Sequence, residues 1–322
     1  MSVLVVTWNS ADVLAASLSA LAGSDPRPAE LVVVDNASTD HSVAMVEAFA
    51  ERSPFPVNLI KQDRNTGFAA AMNRAIANAA EPNVLVLNPD VRVEPDMIGR
   101  LHAGLDQAGT TTYAVGPKLR RASGNSLVPT DVIDSAGIRM TRDGRHFDRG
   151  SGEQDVGQFD RPAEVFGLTG AAALFRKAAL EGGKIDGEVF DEDFFAYRED
   201  ADLAWRMQGF GFRAWFEPTA VGYHLRRATP ENRKSLPPEI NRHSVKNRFL
   251  LRIHHADRGW LVQFGPTSVA RDMVVIGACL TVERSSLGGL LWVIRNARRH
   301  LRRRQEILTR RRVRSEDLRR WF

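Results

Sequence analysis

The sequence has one cysteine, Cys279, among 322 residues. A single thiol excludes an intrachain disulfide framework and a metal site built from CxxC pairs. We expect no signal peptide, because the stretch after Met1 is apolar and strand-like and lacks a charged n-region and a signal-type apolar region. These absences predict a cytoplasmic protein.

Long apolar runs and two nucleotide-binding signatures are also missing. The apolar runs at 273–282 and 287–294 are shorter than the roughly 20 residues that a transmembrane helix needs. No GxGxxG follows the first predicted strand, and no GxxxxGK(S/T) occurs in the chain. The sequence therefore argues against a membrane-spanning helix, a dinucleotide-binding Rossmann fold and a P-loop enzyme.

Charge is unevenly distributed. The net charge is +5, but residues 295–322 hold twelve arginines against three acids, which is about +9. The rest of the chain therefore carries about −4. A basic tail on a mildly acidic body indicates an anionic surface as partner, either nucleic acid or membrane.

Apolar runs alternate with helical patterns through the first 112 residues. The predicted strands cover residues 2–7, 31–34, 57–60 and 84–87. Four such repeats predict a parallel sheet covered by helices, with right-handed crossovers. From residue 113 to 161 the pattern loosens, which indicates extended strands and a long loop.

Polar side chains gather where these strands end, at Thr7, Asn9, Asp35, Asn65, Asn88 and Asp90. In an open α/β sheet, ligands bind beyond the carboxyl ends of the strands. Asp90 is either a solvated turn residue or a ligand of a hard cation, since Mg²⁺ commonly takes one or two carboxylates beside substrate phosphates. Asp35 either hydrogen-bonds a nucleobase or ribose, or closes a turn before the next helix.

Residues 190–206 combine six acids with interleaved aromatic side chains. Glu199 and Asp200 fall at the N-terminus of a predicted helix. A carboxylate there either complements the helix dipole or serves as a general base near a substrate hydroxyl. Asp202 and Arg206 lie four residues apart on that helix and predict a structural ion pair.

Two further positions have two interpretations each. Gly170 lies in a run of small apolar residues, which suits either a tightly packed strand or a close approach of backbone to a ligand. His224 follows a short apolar strand and is either a satisfied core or surface residue or a third metal ligand.

The α/β alternation ends after Arg226. A helix is predicted at 241–253, followed by the two apolar runs, Trp292 and an arginine-rich helical pattern. This segment either lies in a membrane interface or packs on the main domain or on a second subunit. An arginine-rich tail that binds nucleic acid would do so with strong salt dependence, but no base-reading motif accompanies it.

An ordered set of motifs resembles the family 2 inverting glycosyltransferases of the GT-A fold, in their rhamnosyltransferase-like branch. The matching segments are residues 5–10 (VVTWNS), 33–40 (VVDNASTD), 65–69 (NTGFA) with Asn73, 88–90 (NPD), 170–172 (GAA), 190–195 (FDEDFF) and 199–203 (EDADL). Order and spacing fit over about residues 1–228, whereas no specific motif covers the tail.

The resemblance implies an α/β chain with the nucleotide-diphospho-sugar transferase fold. The central sheet would be mainly parallel, with helices on both faces and a C-terminal helical extension. The glycosyltransferase domain would cover 1–228, with a nucleotide-sugar half at 1–112 and an acceptor half at 113–228. The basic extension would cover 229–322.

The resemblance also implies site roles. Nucleotide binding would fall to Thr7, Asn9, Asp35, Asn65, Gly67, Asn73 and Asn88. Metal binding would fall to Asp90 and His224, catalysis to Asp200 as base beside Glu199, and acceptor binding to Gly170, Asp191 and Glu192. One departure is that the metal motif opens with Asn88 rather than aspartate, which removes a charge.

The implied activity is metal-dependent hexosyl transfer with inversion, using Mg²⁺ or Mn²⁺. The expected donor is dTDP-rhamnose, and the expected acceptor is a lipid-linked saccharide or polysaccharide in cell-envelope glycan synthesis. Alternatives are a UDP- or GDP-linked sugar, a sugar nucleotidyltransferase, or a nucleic-acid-binding protein. We expect no nucleic-acid partner, a peripheral position on the inner face of the cytoplasmic membrane through the extension, and a homo-oligomer as a further option.

Overall fold

The computed structural model describes residues 1–227 and 237–322, and the predicted domain boundary at 228/229 falls outside these described residues. The first part alternates as predicted. Its elements are β1 (Ser2–Thr7), α1 (Ala11–Ala22), β2 (Glu30–Asp35), α2 (Ser42–Ala50), β3 (Val57–Lys61), α3 (Gly67–Asn78) and β4 (Asn83–Leu87).

The second part is richer in strands. Its elements are β5 (Val91–Val93), α4 (Met97–Gln107), β6 (Thr112–Ser123), β7 (Val128–Ser135), β8 (Ile138–Met140), β9 (His146–Asp148), β10 (Ala163–Val165), β11 (Ala172–Arg176), α5 (Lys177–Gly183), α6 (Glu199–Gly209) and β12 (Arg213–His224). The extension consists of α7 (Pro238–His255), α8 (Arg258–Thr281), α9 (Leu287–Arg295), α10 (Ala297–Arg310) and α11 (Ser315–Leu318).

One mixed sheet forms the centre, in the order β10-β12-β6-β11-β4-β1-β2-β3. The strands β4, β1, β2 and β3 run parallel, and β11 is antiparallel to both β4 and β6. The sheet is therefore parallel from β4 to β3, as expected, and mixed beyond these four strands.

Helices cover both faces of the sheet, which explains the continuous apolar runs in β1, β2 and β4. Along β1, Leu4 and Val6 pack on the side of α3 and α6, whereas Val3 and Val5 pack on the side of α1, α2 and α4. Burial on both faces leaves no room for the apolar–polar alternation of a half-exposed strand.

The extended strands predicted within 113–161 are present, because β6 spans twelve residues and pairs with β7, β11 and β12. Charged residues in β6 hid its length and its pairing from the sequence pattern. Lys118 is buried and binds Asp155 at 3.2 Å, and Arg120 binds the same carboxylate. These charged residues therefore form internal ion pairs, which a sequence pattern does not show.

The extension packs on the main domain. Trp205 and Phe166 of the domain share a buried cluster with Leu250, Trp260 and Phe264 of α7 and α8. Within the described residues, no single helix is both long and apolar enough to cross a bilayer, although α8 and α9 pass that test together as a pair bent by 111°.

Candidate active site

An open cavity of about 670 Å³ lies where β4 and β12 end and α6 and α7 begin. It brings together residues that are far apart in the sequence. Its lining includes Phe68, Asn88, Asp90, His146, Asp148, Thr169, Gly170, Tyr197, Arg198, Glu199, Asp200, His224, Arg226, Asn241 and Ser244.

Strand pairing brings Asp90 to His224. The chain turns after β4, and β5 then pairs antiparallel with β12, with Val91 opposite His224. Asp90 Oδ1 lies 3.4 Å from His224 Nε2, and the backbone N–H of Leu225 donates to the Asp90 carbonyl at 3.0 Å. The sequence predicted both side chains as metal ligands, and the structure places them side by side.

A divalent cation fits this pair. Asp90 Oδ1 is buried and accepts no hydrogen bond from the described residues. A carboxylate oxygen and an imidazole nitrogen are both suitable ligands for Mn²⁺, and carboxylate oxygen suits Mg²⁺. Asn88 lines the same cavity, and its amide oxygen is a neutral group there.

Asp134 supports His224 from behind. Its Oδ2 lies 2.8 Å from His224 Nδ1, which leaves Nε2 directed at Asp90. Metal-binding histidines commonly have such a carboxylate on the other ring nitrogen. Burial alone would lower the pKa of His224, but the charge of Asp90 and the contact with Asp134 raise it to about 10. A cation bound at Nε2 would therefore displace a proton.

Sequence reasoning missed Asp134 and its partner Arg226. Asp134 is fully buried in β7, and Arg226 joins it to Asp148 at the cavity wall. The available signal was an acid inside the apolar strand-like run VIDSAGI, since a buried carboxylate requires a partner. The partner itself lies 92 residues away and carries no local signal.

The N-terminus of α6 carries Glu199 and Asp200, as predicted. The backbone N–H of Gly170 donates to Asp200 Oδ2 at 3.1 Å, and that of Ala201 donates to Oδ1 at 2.7 Å. Burial raises the pKa of Asp200 to about 6, and the nearby charge of Asp148 acts in the same direction. Asp200 is therefore a carboxylate at the cavity that can take up a proton near neutral pH.

Glu199 differs from its neighbour. It is only 7% exposed, and its Oε2 has no hydrogen-bond partner among the described residues. Burial, followed by the charge of Asp200, raises the pKa of Glu199 well above its usual range. Burial therefore disfavours the ionised form of Glu199, whereas the carboxylate of Asp200 is stabilised by two backbone N–H donors.

The predicted nucleotide residues continue the same sheet edge along β1 and β2. Asp35 Oδ2 accepts from the Ser38 N–H at 3.0 Å, whereas Asp35 Oδ1 and Thr7 Oγ1 are buried without a partner in the described parts of the chain. One oxygen of Asp35 therefore closes the turn, and binding of a nucleobase or ribose by the other oxygen stays a prediction. Asn9 Oδ1 accepts from the Thr39 N–H at 2.8 Å.

Asn65 and Gly67 shape the turn into α3. Asn65 Oδ1 accepts from the Gly67 N–H at 2.9 Å, and Gly67 has φ +83°. Sequence reasoning passed over Asn36, whose side chain donates to the Gly67 carbonyl and accepts from the Thr66 N–H. The turn into α3 is therefore fixed by the side chains of Asn65 and Asn36.

Two expected ligand contacts are corrected. Asn73 uses both polar ends on the backbone of Phe190, at 2.8 and 2.9 Å, so it joins the two halves of the domain instead of facing a nucleotide. Asp191 is fully buried and lies 3.1 Å from Arg303, so it cannot contact an acceptor. Glu192 is exposed and accepts from Asn73, outside the residues described as lining the cavity.

A second, closed cluster lies behind the cavity. Asp202 and Arg206 are 3.7 Å apart, but Asp202 Oδ1 is nearer to His255 Nε2, at 2.8 Å, and to His254 Nδ1, at 3.1 Å. Two groups in this cluster have ligand atoms close enough together to hold a metal ion. They are Asp202 with His254 and His255, and Asp191 with His254 and His300. The guanidinium groups of Arg303 and Arg206 already supply the positive charge there.

The mixed sheet with helices on both faces is the GT-A fold, which solved glycosyltransferase structures share. The sequence profile of "Glycosyl transferase family 2" matches residues 2–183. The chain belongs to this family and is a glycosyltransferase. The motif-based prediction of the family and fold is thereby confirmed.

One curated relative is the "N-acetylglucosaminyl-diphospho-decaprenol L-rhamnosyltransferase" of Mycobacterium tuberculosis. It is 30% identical over 248 residues, which cover 70% of this chain and 75% of the relative. The rhamnosyltransferase-like resemblance therefore extends over most of both chains.

Solved structures share the fold at low sequence identity. Staphylococcus aureus TarS 1–349 in complex with UDP-GlcNAc is 19% identical with a TM-score of 0.57, over 90% of this chain and 79% of that one. The mannosyltransferase PcManGT from Pyrobaculum calidifontis, in complex with GDP-Man and Mn²⁺, is 19% identical with a TM-score of 0.55, over 96% and 85%. The chain spans 45% of a longer TarS chain.

Proposed function

We propose that this glycosyltransferase moves L-rhamnose from dTDP-rhamnose to a lipid-linked saccharide, with inversion and with a divalent cation. The observation that carries the proposal is the single cavity that joins Asp90, His224 and Asp200. The sugar and the acceptor class are supported by the mycobacterial relative, whose name specifies both. A UDP- or GDP-linked sugar is the alternative donor.

Asp90 and His224 would hold Mg²⁺ or Mn²⁺, which when bound neutralises charge on the leaving diphosphate. Asp200 accepts the proton of the acceptor hydroxyl as that oxygen attacks the anomeric carbon from the face opposite the diphosphate. The bond to the nucleotide breaks as the new glycosidic bond forms, so the configuration inverts in one step. The Gly170 N–H orients the carboxylate during this transfer.

Thermal unfolding with dTDP, UDP and GDP, each with and without Mn²⁺, tests the donor site. At about a hundred times its dissociation constant, the matching nucleotide should stabilise the protein by about 2.7 kcal/mol in the presence of Mn²⁺. Asp90→Ala should lose this increment. Asp131→Ala, an exposed carboxylate variant, should keep it. A Mn²⁺-independent shift, or an unchanged shift in Asp90→Ala, would contradict the metal site.

A lipid-linked acceptor requires contact with a membrane, and α8 supports one. Val262, Val269, Met273 and Leu280 recur at spacings of seven and four residues, which places them on one face of the helix, and all four are exposed. Exposed arginines at 258, 271 and 284 lie on the same segment and suit anionic lipid headgroups. We propose that this face holds the protein peripherally on the cytoplasmic side of the membrane.

Sedimentation with vesicles containing anionic phospholipid tests the α8 contact. Met273→Glu should release the protein from the vesicles, because it places a charge in the apolar face. Gln263→Glu, an exposed change outside the four-residue stripe, is the matched control and should leave most binding intact. Equal binding of both variants, or self-association of wild type without vesicle binding, would overturn the membrane proposal.

A further inference from the structure

The backbone immediately before α6 adopts unusual conformations. Phe195, Tyr197 and Arg198 all have positive φ, at +65°, +70° and +74°, although none is glycine. Phe195 has ψ −67°, and the Ala196 N–H donates to the Phe194 carbonyl at 2.8 Å, which is the strained form of the γ-turn. Such conformations persist only where surrounding groups hold them, and they concentrate at functional sites.

One side chain of the extension holds this segment. Asn247 of α7 is fully buried, and its Nδ2 donates to the carbonyls of Phe194, Ala196 and Tyr197 at 2.9, 2.9 and 2.7 Å. Three carbonyl oxygens around one nitrogen identify it as the amide NH₂. Because that group has two hydrogens, one of them is shared, and the three carbonyls are fixed relative to one another.

Residues 194–197 connect the start of α6 with the turn into α3. On one side it leads through Arg198 directly into Glu199 and Asp200 at the start of α6. On the other side, the Phe195 carbonyl accepts from the Ala69 N–H at 3.1 Å, next to the turn into α3. A Cβ added to Gly67 would lie 2.5 Å from that carbonyl oxygen, so the two segments are in close contact.

We propose that Asn247 is a positioning residue for the base, acting through the backbone of residues 194–197. This inference rests on the proposed function, since it assigns Asp200 the proton. Asn247 lies in the C-terminal extension, beyond the match of the family profile to residues 2–183. The first helix of the extension is thereby part of the catalytic apparatus rather than an addition to it.

Asn247→Ala removes all three hydrogen bonds and should release residues 194–197. We expect kcat for sugar transfer to fall about ten- to a hundredfold, as small displacements of a reacting group cost that much. The KM for the sugar donor and the Mn²⁺-dependent nucleotide shift should change less than about twofold, because the hydrogen bonds of Asn36 and Asn65 in the turn into α3 do not involve residues 194–197. If Asn247→Ala does not fold, Asn247→Ser retains one donor and should show an intermediate loss.

Lys246→Met is the matched control. Lys246 precedes Asn247 on α7 and donates to the carbonyl of Asp193, just outside the strained segment. It should lower the unfolding temperature while leaving kcat within about threefold of wild type. A kcat for Asn247→Ala or Asn247→Ser equal to that of Lys246→Met would overturn the proposal.

Hydrogen–deuterium exchange separates this inference from the proposed function, because it needs no substrate. Exchange in peptides that cover residues 194–200 should rise in Asn247→Ala and stay near wild type in Lys246→Met. Unchanged exchange in Asn247→Ala would overturn the holding role. Raised exchange in a protein that transfers no sugar would keep the holding role and reject the assigned reaction.

Discussion

The open carboxylates at the cavity and the closed carboxylates behind it lie on the same stretch of chain. Asp200 faces the cavity with only backbone N–H donors, and its pKa is raised by burial to about 6. Asp202, two residues on, lies among His254, His255 and Arg206, and these contacts hold its pKa well below its usual range despite burial. The surroundings, rather than the residue type, separate a proton acceptor from a structural anion.

The C-terminal extension supplies the partners that distinguish the closed carboxylates from Asp200. His254, His255 and Arg303 all come from α7 and α10. The histidines contact Asp202, and the guanidinium of Arg303 pairs with Asp191. None of these three side chains lines the described cavity. The comparison therefore predicts that changes at the open site reduce catalysis, whereas changes at the closed cluster reduce stability.

The largest expected effect is at the open site. Asp200→Asn removes the proton acceptor and should lower kcat about a hundred- to ten-thousand-fold, the usual contribution of a general base. Steady-state sugar transfer measures the loss, and the nucleotide-dependent thermal shift is the control for an intact donor site. Wild-type kcat in this variant would remove Asp200 from the mechanism.

The next effect is at the closed cluster. Arg303→Ala leaves Asp191 buried without its guanidinium partner and should destabilise the protein by about 3–5 kcal/mol. Arg320→Ala breaks the exposed ion pair with Glu164 and should cost about 1 kcal/mol or less. Denaturant unfolding measures both variants. Equal losses would show that the closed cluster contributes no more than a surface pair.

The smallest expected effect is the pH dependence of transfer, which tests the raised pKa of Asp200. Asp200 must be ionised to accept a proton, and its raised pKa means that it becomes protonated as the pH falls through about 6. Transfer should therefore drop about tenfold between its plateau and pH 5. Rates measured on folded protein across that range provide the test. A rate that stays constant down to pH 4 would contradict a base with a raised pKa.

The parallel part of the fold was predictable because burial on both faces gives β1, β2 and β4 continuous apolar runs. The positions of Asp90 and Asp35 at the carboxyl ends of β4 and β2 also followed from the strand topology and could be predicted without a structure. The length and pairing of β6 could not be predicted, because Lys118 and Arg120 look like loop residues until Asp155 is known to neutralise them.

Roles within the acidic segment were less predictable. Asp191 and Asp200 have the same chemistry and similar neighbours in sequence. They differ in their partners. Asp191 pairs with Arg303, which is more than 50 residues away in the sequence, whereas Asp200 accepts from the Gly170 N–H, which the fold brings next to it. Local patterns carry no information on such pairs. The three hydrogen bonds of Asn247 are hidden for the same reason.

The central claim is tested most directly by measuring thermal unfolding and sugar transfer together on Asp200→Asn and Asp202→Asn. Asp200→Asn should lose transfer yet unfold at or above the wild-type temperature, since a raised carboxyl pKa means that the fold disfavours the ionised form. Asp202→Asn should unfold at a lower temperature while its folded fraction retains most of its kcat. Loss of transfer in Asp202→Asn at an unchanged unfolding temperature, with an active Asp200→Asn, would contradict the account.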